Sequence, residues 1–205
     1  MILGIGIPYY KNSEECEIAF KKLMNMLQDK INGNIKLFIY EDGQISNWLY
    51  GYNAKVISSN INKGIAYARN YIMNYLINIM KADYIMFLDS DDMVDCDFIT
   101  KMYNEADTKN YDMIVSRLIM NKKELGYPLR SNVAGICLRV DFIKYLVFNE
   151  DYIISEDTLF INEVYARNPK ICVIDSNYYY NYGINPNSLM MRFERSEIGL
   201  KKEDK

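Results

Sequence analysis

Tyr84-Ile-Met-Phe-Leu-Asp-Ser-Asp-Asp92 decides how this chain is read. Tyr84 to Leu88 is a short apolar run of the length expected for a buried strand. It ends in three carboxylates within four residues: Asp89, Asp91 and Asp92. Carboxylates crowded in this way repel one another unless a cation sits between them. Oxygen-only ligands suit a hard ion such as Mg²⁺ or Mn²⁺. In open α/β sheets the C-terminal end of a strand is also where ligands bind. The stretch therefore points to a metal-assisted site for a phosphorylated substrate. The competing reading is an acidic turn that caps the next helix through Asp92 or Asp95.

Strands and helices alternate on the N-terminal side of this stretch. Ile2 to Pro8 reads as a first strand. Asn12 or Ser13 caps a helix whose apolar face is Ile18, Phe20, Leu23, Met24 and Leu27, with Gly33 as its breaker. Ile35 to Tyr40 is a second strand ending in Glu41-Asp42-Gly43, and Lys55 to Ser58 a third. Asn62-Lys-Gly64 opens a helix that runs through Ile79. This alternation predicts a mainly parallel sheet with right-handed crossovers. On the C-terminal side a helix is expected from about Asp95 to Ala106 and a strand from Asp112 to Met120. Asn121 to Asn132 reads as an exposed connection, Gly135 to Val140 as a strand, and Phe142 to Leu146 as a short helix. Ser155 caps a helix to Ala166. Lys170 to Ile174 and Tyr178 to Tyr182 read as two further strands, and Arg192 to Lys205 as a charged, peripheral tail.

The chain has 205 residues, half of them apolar and a quarter charged, which fits one globular domain. A net charge of -3 argues against bulk binding to nucleic acid or to an anionic membrane. No apolar stretch reaches transmembrane length. Met1 to Pro8 has no basic flank and reads as a strand, not a signal peptide. Cys16, Cys96, Cys137 and Cys172 lie far apart without metal-ligand spacing, as free thiols of a cytoplasmic protein would. There is no histidine. Acid-base chemistry must then come from carboxylates, Lys, Tyr or Cys.

Four features stand in order: Pro8-Tyr-Tyr10, Glu41-Asp42-Gly43, Asn62-Lys-Gly-Ile-Ala-Tyr-Ala-Arg-Asn70 and Asp89-Ser-Asp-Asp92. With Glu156-Asp157 further on, they resemble the family 2 glycosyltransferases of the GT-A fold, over about Met1 to Ser188. The resemblance implies a Rossmann-like, mainly parallel central sheet flanked by helices, with a smaller acceptor-side sheet region. It implies one domain, with a nucleotide-sugar half over about 1–92, an acceptor half over about 93–190 and a charged tail over 191–205.

The implied reaction is inverting, metal-dependent transfer from a nucleotide-sugar, most often a UDP-sugar. The acceptor would be a hydroxyl of a glycan, lipid-linked or other molecule, and surface polysaccharide synthesis the setting. Tyr10, following Pro8, would stack on the base. Asp42 would accept from a base N–H. Gly64 would let backbone turn sharply, and Arg69 would lie near the nucleotide, with Asn60 and Lys63 as further residues there. Asp91 would ligate Mn²⁺ or Mg²⁺, Asp89 would meet the ribose or a water, and Asp92 would be a second ligand. Asp157 would be the general base and Glu156 its partner, with Phe160 as the aromatic that follows. Two adjacent carboxylates at a helix start also simply suit the helix dipole.

One departure concerns the metal. Asn185 stands where many relatives carry a histidine, and an amide oxygen is an acceptable ligand for Mg²⁺ or Mn²⁺. Arg130 and Arg139 are either ordinary surface arginines, the reading the residues favour, or contacts for an anionic acceptor, and peripheral membrane contact is compatible with a lipid-linked one. Two other readings stay open: a nucleotide-sugar-binding module without turnover, and a nucleotidyltransferase. The second would begin with a glycine-rich basic loop, which Pro8-Tyr-Tyr-Lys11 is not.

Overall fold

The run around Tyr84 forms a strand because the sheet around it is covered on both faces. A computed structural model describes residues 1–11, 13–120, 123–125, 131–180 and 189–203. The first half comprises β1 (Leu3–Tyr9), α1 (Glu14–Gln28), β2 (Ile35–Asp42), a 3-10 turn at Asn47–Gly51, β3 (Lys55–Ser59), α2 (Ile65–Asn78) and β4 (Tyr84–Phe87). After it come β5 (Met93–Val94), α3 (Phe98–Lys109), β6 (Met113–Met120), β7 (Lys123–Leu125) and β8 (Cys137–Arg139). The chain continues with α4 (Val140–Ile143), α5 (Glu156–Ala166), β9 (Ile171–Tyr180) and α6 (Leu189–Glu194).

The described strands form one sheet in the order β3-β2-β1-β4-β8-β6-β9-β5, with β7 beside β6. β1 runs parallel to β2 and β4, and β2 parallel to β3. β8 is antiparallel to both β4 and β6. β6 and β9 are parallel. This is the mixed α/β, mainly parallel arrangement expected of a GT-A fold.

Side chains alternate between two cores, as strand geometry requires. Leu3, Ile5, Ile7 and Tyr9 of β1 and Met86 of β4 join Phe20 and Leu23 of α1 and Phe98 and Met102 of α3. Phe38 and Tyr40 of β2 and Ile85 and Phe87 of β4 join Ile72 and Leu76 of α2 and Phe160 and Val164 of α5. Both layers hold the parallel strands in register. Their C-terminal ends at Tyr9, Asp42 and Phe87 therefore open onto a common edge.

Several boundaries differ from expectation. α1 ends at Gln28 with Asp29 as its C-cap, ahead of Gly33. Ser13 caps its start, accepting a bond from the Cys16 N–H at 3.3 Å; Asn12 lies outside the described residues. α3 begins at Phe98, after a two-residue strand, and neither Asp92 nor Asp95 caps it. The expected strand over Gly135 to Val140 is only Cys137–Arg139, and the next helix is Val140–Ile143. The two late strands are one, β9, running on through Asp175, Ser176 and Asn177. Part of the tail is docked. Ile153 N–H donates to Leu200 O at 2.9 Å and Lys202 N–H to Asp151 O at 2.9 Å, binding it to the segment just before α5.

Candidate active site

The ends of β1, β2 and β4 border a cleft of about 940 Å³. Into it the fold gathers most of the expected site residues. Pro8, Tyr10, Asp42, Gly64 and Arg69 line it on one side of the acidic turn. Asp89, Asp91 and Asp92 form that turn, and Glu156 and Asp157 line it from the start of α5. Asn185 and Arg130 lie outside the described residues. Asn60 does not line the cleft, whereas Lys63 does. Arg139 is paired with Asp112 and does not line the cleft.

Tyr10 is 49% exposed, with a ring accessible to a ligand. Its neighbour Tyr9 is buried and packs on Phe20 with ring centroids 4.4 Å apart. Asp42, the last residue of β2, already has a structural task. Its two oxygens accept the backbone N–H groups of Lys63 and Gly64, each at 2.8 Å. Burial raises its pKa, and the two N–H bonds act against that rise. Gly64 sits at φ +97°, a conformation that suits glycine, as the N-cap of α2.

Arg69 lines the cleft yet is almost fully buried. It is buried inside α2 and joins two distant carboxylates. Its Nη2 donates to Asp89 Oδ1 at 2.9 Å, and its Nη1 donates to Glu156 Oε1. The guanidinium also lies 5.7 Å from the Phe148 ring centre, and Phe148 stacks on Phe160 at 4.2 Å. One cation thus ties the acidic turn to α5. Burial disfavours its charged form, but Asp89, Glu156 and Asp157 outweigh that and raise its pKa.

The same burial acts on the carboxylates. Glu156 is raised above the usual carboxylate range by burial, with Arg69 pulling it down and Asp157 pushing it up. Asp157 is also raised, by burial first, against the pull of Arg69 and with a push from Asp89. Their positions differ. Glu156 is locked against Arg69. Asp157 lines the cleft, and its Oδ1 accepts the Thr158 N–H at 2.7 Å. Ser155, expected to cap α5, makes no side-chain cap bond and sits at φ +68°.

In the acidic turn, Asp92 N–H donates to Asp89 O at 3.2 Å. The Asp92 carboxylate is buried and accepts the Tyr178 hydroxyl at 2.5 Å. Among the described residues no three or more Asp, Glu, His or Cys side chains converge to hold a metal ion by themselves. The sequence reading missed Tyr178. It also missed Ser131, Asn132 and the tail residues Arg192, Glu197, Ile198 and Lys202, all on the cleft wall. No local pattern marks these residues, which reach the cleft only through long-range folding.

The model for glycosyl transferase family 2 matches residues 5–163, which hold every one of these motifs. The chain belongs to that family. It is 24% identical over 171 residues to poly(ribitol-phosphate) beta-N-acetylglucosaminyltransferase TarP of Staphylococcus aureus (strain N315), covering 81% of this chain and 50% of TarP. The chain thus spans half the length of that relative. The fold matches S. aureus TarS 1-349 in complex with UDP-GlcNAc with a TM-score of 0.71 at 18% identity, over 88% of this chain and 58% of that one. It also matches the mannosyltransferase PcManGT of Pyrobaculum calidifontis, in complex with GDP-Man and Mn²⁺, with a TM-score of 0.63 at 9% identity, over 98% and 66% of the two chains. At these identities the structural likeness establishes the fold. Among the described residues no helix is long and apolar enough to cross a membrane.

Proposed function

We propose that this family 2 glycosyltransferase transfers a sugar, with inversion, from a UDP-sugar to a hydroxyl of a glycan or polyol polymer. The carrying observation is the Arg69 bridge. A single buried guanidinium contacts both Asp89, at the strand end, and Glu156, beside Asp157. It ties the acidic turn, read as the donor side, to the start of α5, read as the acceptor side. Support for the donor and acceptor classes comes from relatives: TarS is described in complex with UDP-GlcNAc, and TarP is named for a poly(ribitol-phosphate) acceptor.

Tyr10 stacks on the base, and Asp42 holds the Lys63–Gly64 loop against which the nucleotide lies. Asp157 takes the acceptor hydroxyl proton as that oxygen bonds to the anomeric carbon. The bond from that carbon to the diphosphate breaks, and its electron pair leaves with UDP. A raised pKa makes Asp157 a stronger base, as such a step requires. Glu156, held by Arg69, orients α5 and is not the base.

The acidic turn also fits a divalent cation. Mg²⁺-type sites are commonly held by one or two carboxylates plus substrate phosphates, so the lack of a three-group protein cluster is no obstacle. Asp91, lining the cleft, and Asp89 would hold the ion, which supplies charge neutralisation to the departing diphosphate. The test is UDP release from UDP-GlcNAc and Mn²⁺ with a ribitol-phosphate oligomer, followed by NMR of the product. Acceptor-dependent UDP release with an inverted anomeric centre is expected. Binding without any turnover across acceptors would instead favour a nucleotide-sugar-binding module.

A further inference from the structure

β9 holds the acidic segment through a row of side chains. Ser176 O–H donates to Asp97 Oδ1 at 2.8 Å. Asn177 N–H donates to Asp95 Oδ2 at 2.8 Å, and Tyr179 O–H donates to Asp95 Oδ1 at 2.8 Å. β5 pairs with β9 through Met93 opposite Tyr179 and Val94 opposite Tyr178.

Tyr178 is the member of this row that reaches the turn itself. It is fully buried. Its hydroxyl accepts the Asp89 N–H at 3.2 Å and donates to Asp92 Oδ2 at 2.5 Å. These two groups stand at opposite ends of the four-residue turn, so one oxygen bridges it in addition to the Asp92 N–H···Asp89 O bond. The ring is fixed as well. It lies against Gly135, where an added Cβ would be 2.3 Å from Tyr178 Cδ2. Gly135 has φ +68°, and its N–H donates to Phe87 O at 2.7 Å. Phe87 is the last residue of β4, so the wall behind the ring is anchored to the strand that bears the turn.

We infer that Tyr178 is a positioning residue of the donor site. By holding the Asp89 amide and the Asp92 carboxylate together, it sets the course of the turn that carries Asp89 and Asp91 into the cleft. Asp92 then serves as the turn's buried anchor rather than as a second metal ligand. This rests on the donor reading above. Neighbouring Tyr179, whose hydroxyl is bound to Asp95 beyond the turn, provides the matched control.

The experiment compares Tyr178→Phe with Tyr179→Phe in two measurements. The first is amide hydrogen exchange of residues 89–93 without ligand. The second is calorimetric binding of UDP with Mn²⁺, below both variants' melting temperatures. In Tyr178→Phe, exchange in the turn should quicken about tenfold or more, as local opening predicts, and UDP–Mn²⁺ should bind about tenfold more weakly. Tyr179→Phe should change neither by more than about twofold. A fall in melting temperature with unaltered turn exchange and unaltered UDP affinity would make Tyr178 a plain core residue and overturn the inference. Absence of UDP binding by the unmodified protein would count against the donor reading. The ligand-free exchange would still decide whether Tyr178 fixes the turn.

Discussion

Replacing Arg69 with Met should cost stability in a way that depends on pH. The Arg69 side chain is 4% exposed and that of Glu156 5%, so the substitution strands a carboxylate in the interior. Breaking a buried ion pair by removing one partner costs about 3–5 kcal/mol. For a chain of this size each kcal/mol lowers the melting temperature by about 2–4 °C, giving a fall on the order of 10 °C at pH 8. The sign of the pH effect follows from Glu156. Its folded-state pKa is raised, so the folded chain holds more protons than the unfolded chain across the interval above the ordinary carboxylate range. Stability from this group is present at low pH and is lost as pH rises through the folded pKa. Without Arg69, which pulls that pKa down, the interval extends upward. The penalty of Arg69→Met should therefore shrink as pH falls from 8 towards 5.5, as Glu156 takes up a proton. Urea denaturation at the two pH values measures it, and Arg69→Met/Glu156→Gln should recover most of the loss at pH 8. A penalty below about 1 kcal/mol, or one that does not change with pH, would refute the buried-bridge reasoning.

Three further outcomes are expected. Asp157→Asn should lower kcat by about 10²–10⁴ while leaving UDP affinity within about threefold, and it should abolish the acid limb of the rate profile, where the raised Asp157 loses its charge. Substantial turnover in that variant would remove Asp157 as the base. Asp91→Ala should erase the difference in UDP affinity between Mn²⁺ and EDTA, read by calorimetry; an intact difference would assign the ligand elsewhere. Gly135→Ala should destabilise by about 2–4 kcal/mol, from a positive-φ residue and an overpacked Tyr178 ring, read by denaturant midpoint.

The first half of the fold was legible because its signals are local. β1, β2 and β4 are apolar runs, and α1 shows helical spacing beneath a serine cap. The acidic turn and Glu156-Asp157 stood out for the same reason. What escaped depends on distant partners. Arg69 looks like any helix arginine until α5 brings Glu156 to it from 87 residues away. Asp175-Ser-Asn177 reads as a break between two strands, yet Ser176 and Asn177 are satisfied by Asp97 and Asp95, so β9 continues. β5, at two residues, is too short for any pattern to mark. The tail's docking uses backbone bonds to Asp151 and Ile153, which leave no signature in side-chain sequence.

The most direct test of the account is calorimetric titration with UDP-GlcNAc, UDP-glucose, GDP-mannose and CMP-sialic acid, each with Mn²⁺ and with EDTA. A UDP-sugar is expected to bind, more tightly with Mn²⁺, and Tyr10→Ala to weaken it by the ~1–3 kcal/mol of a lost base stack. Absence of binding by every sugar nucleotide under both conditions would contradict the proposed donor site.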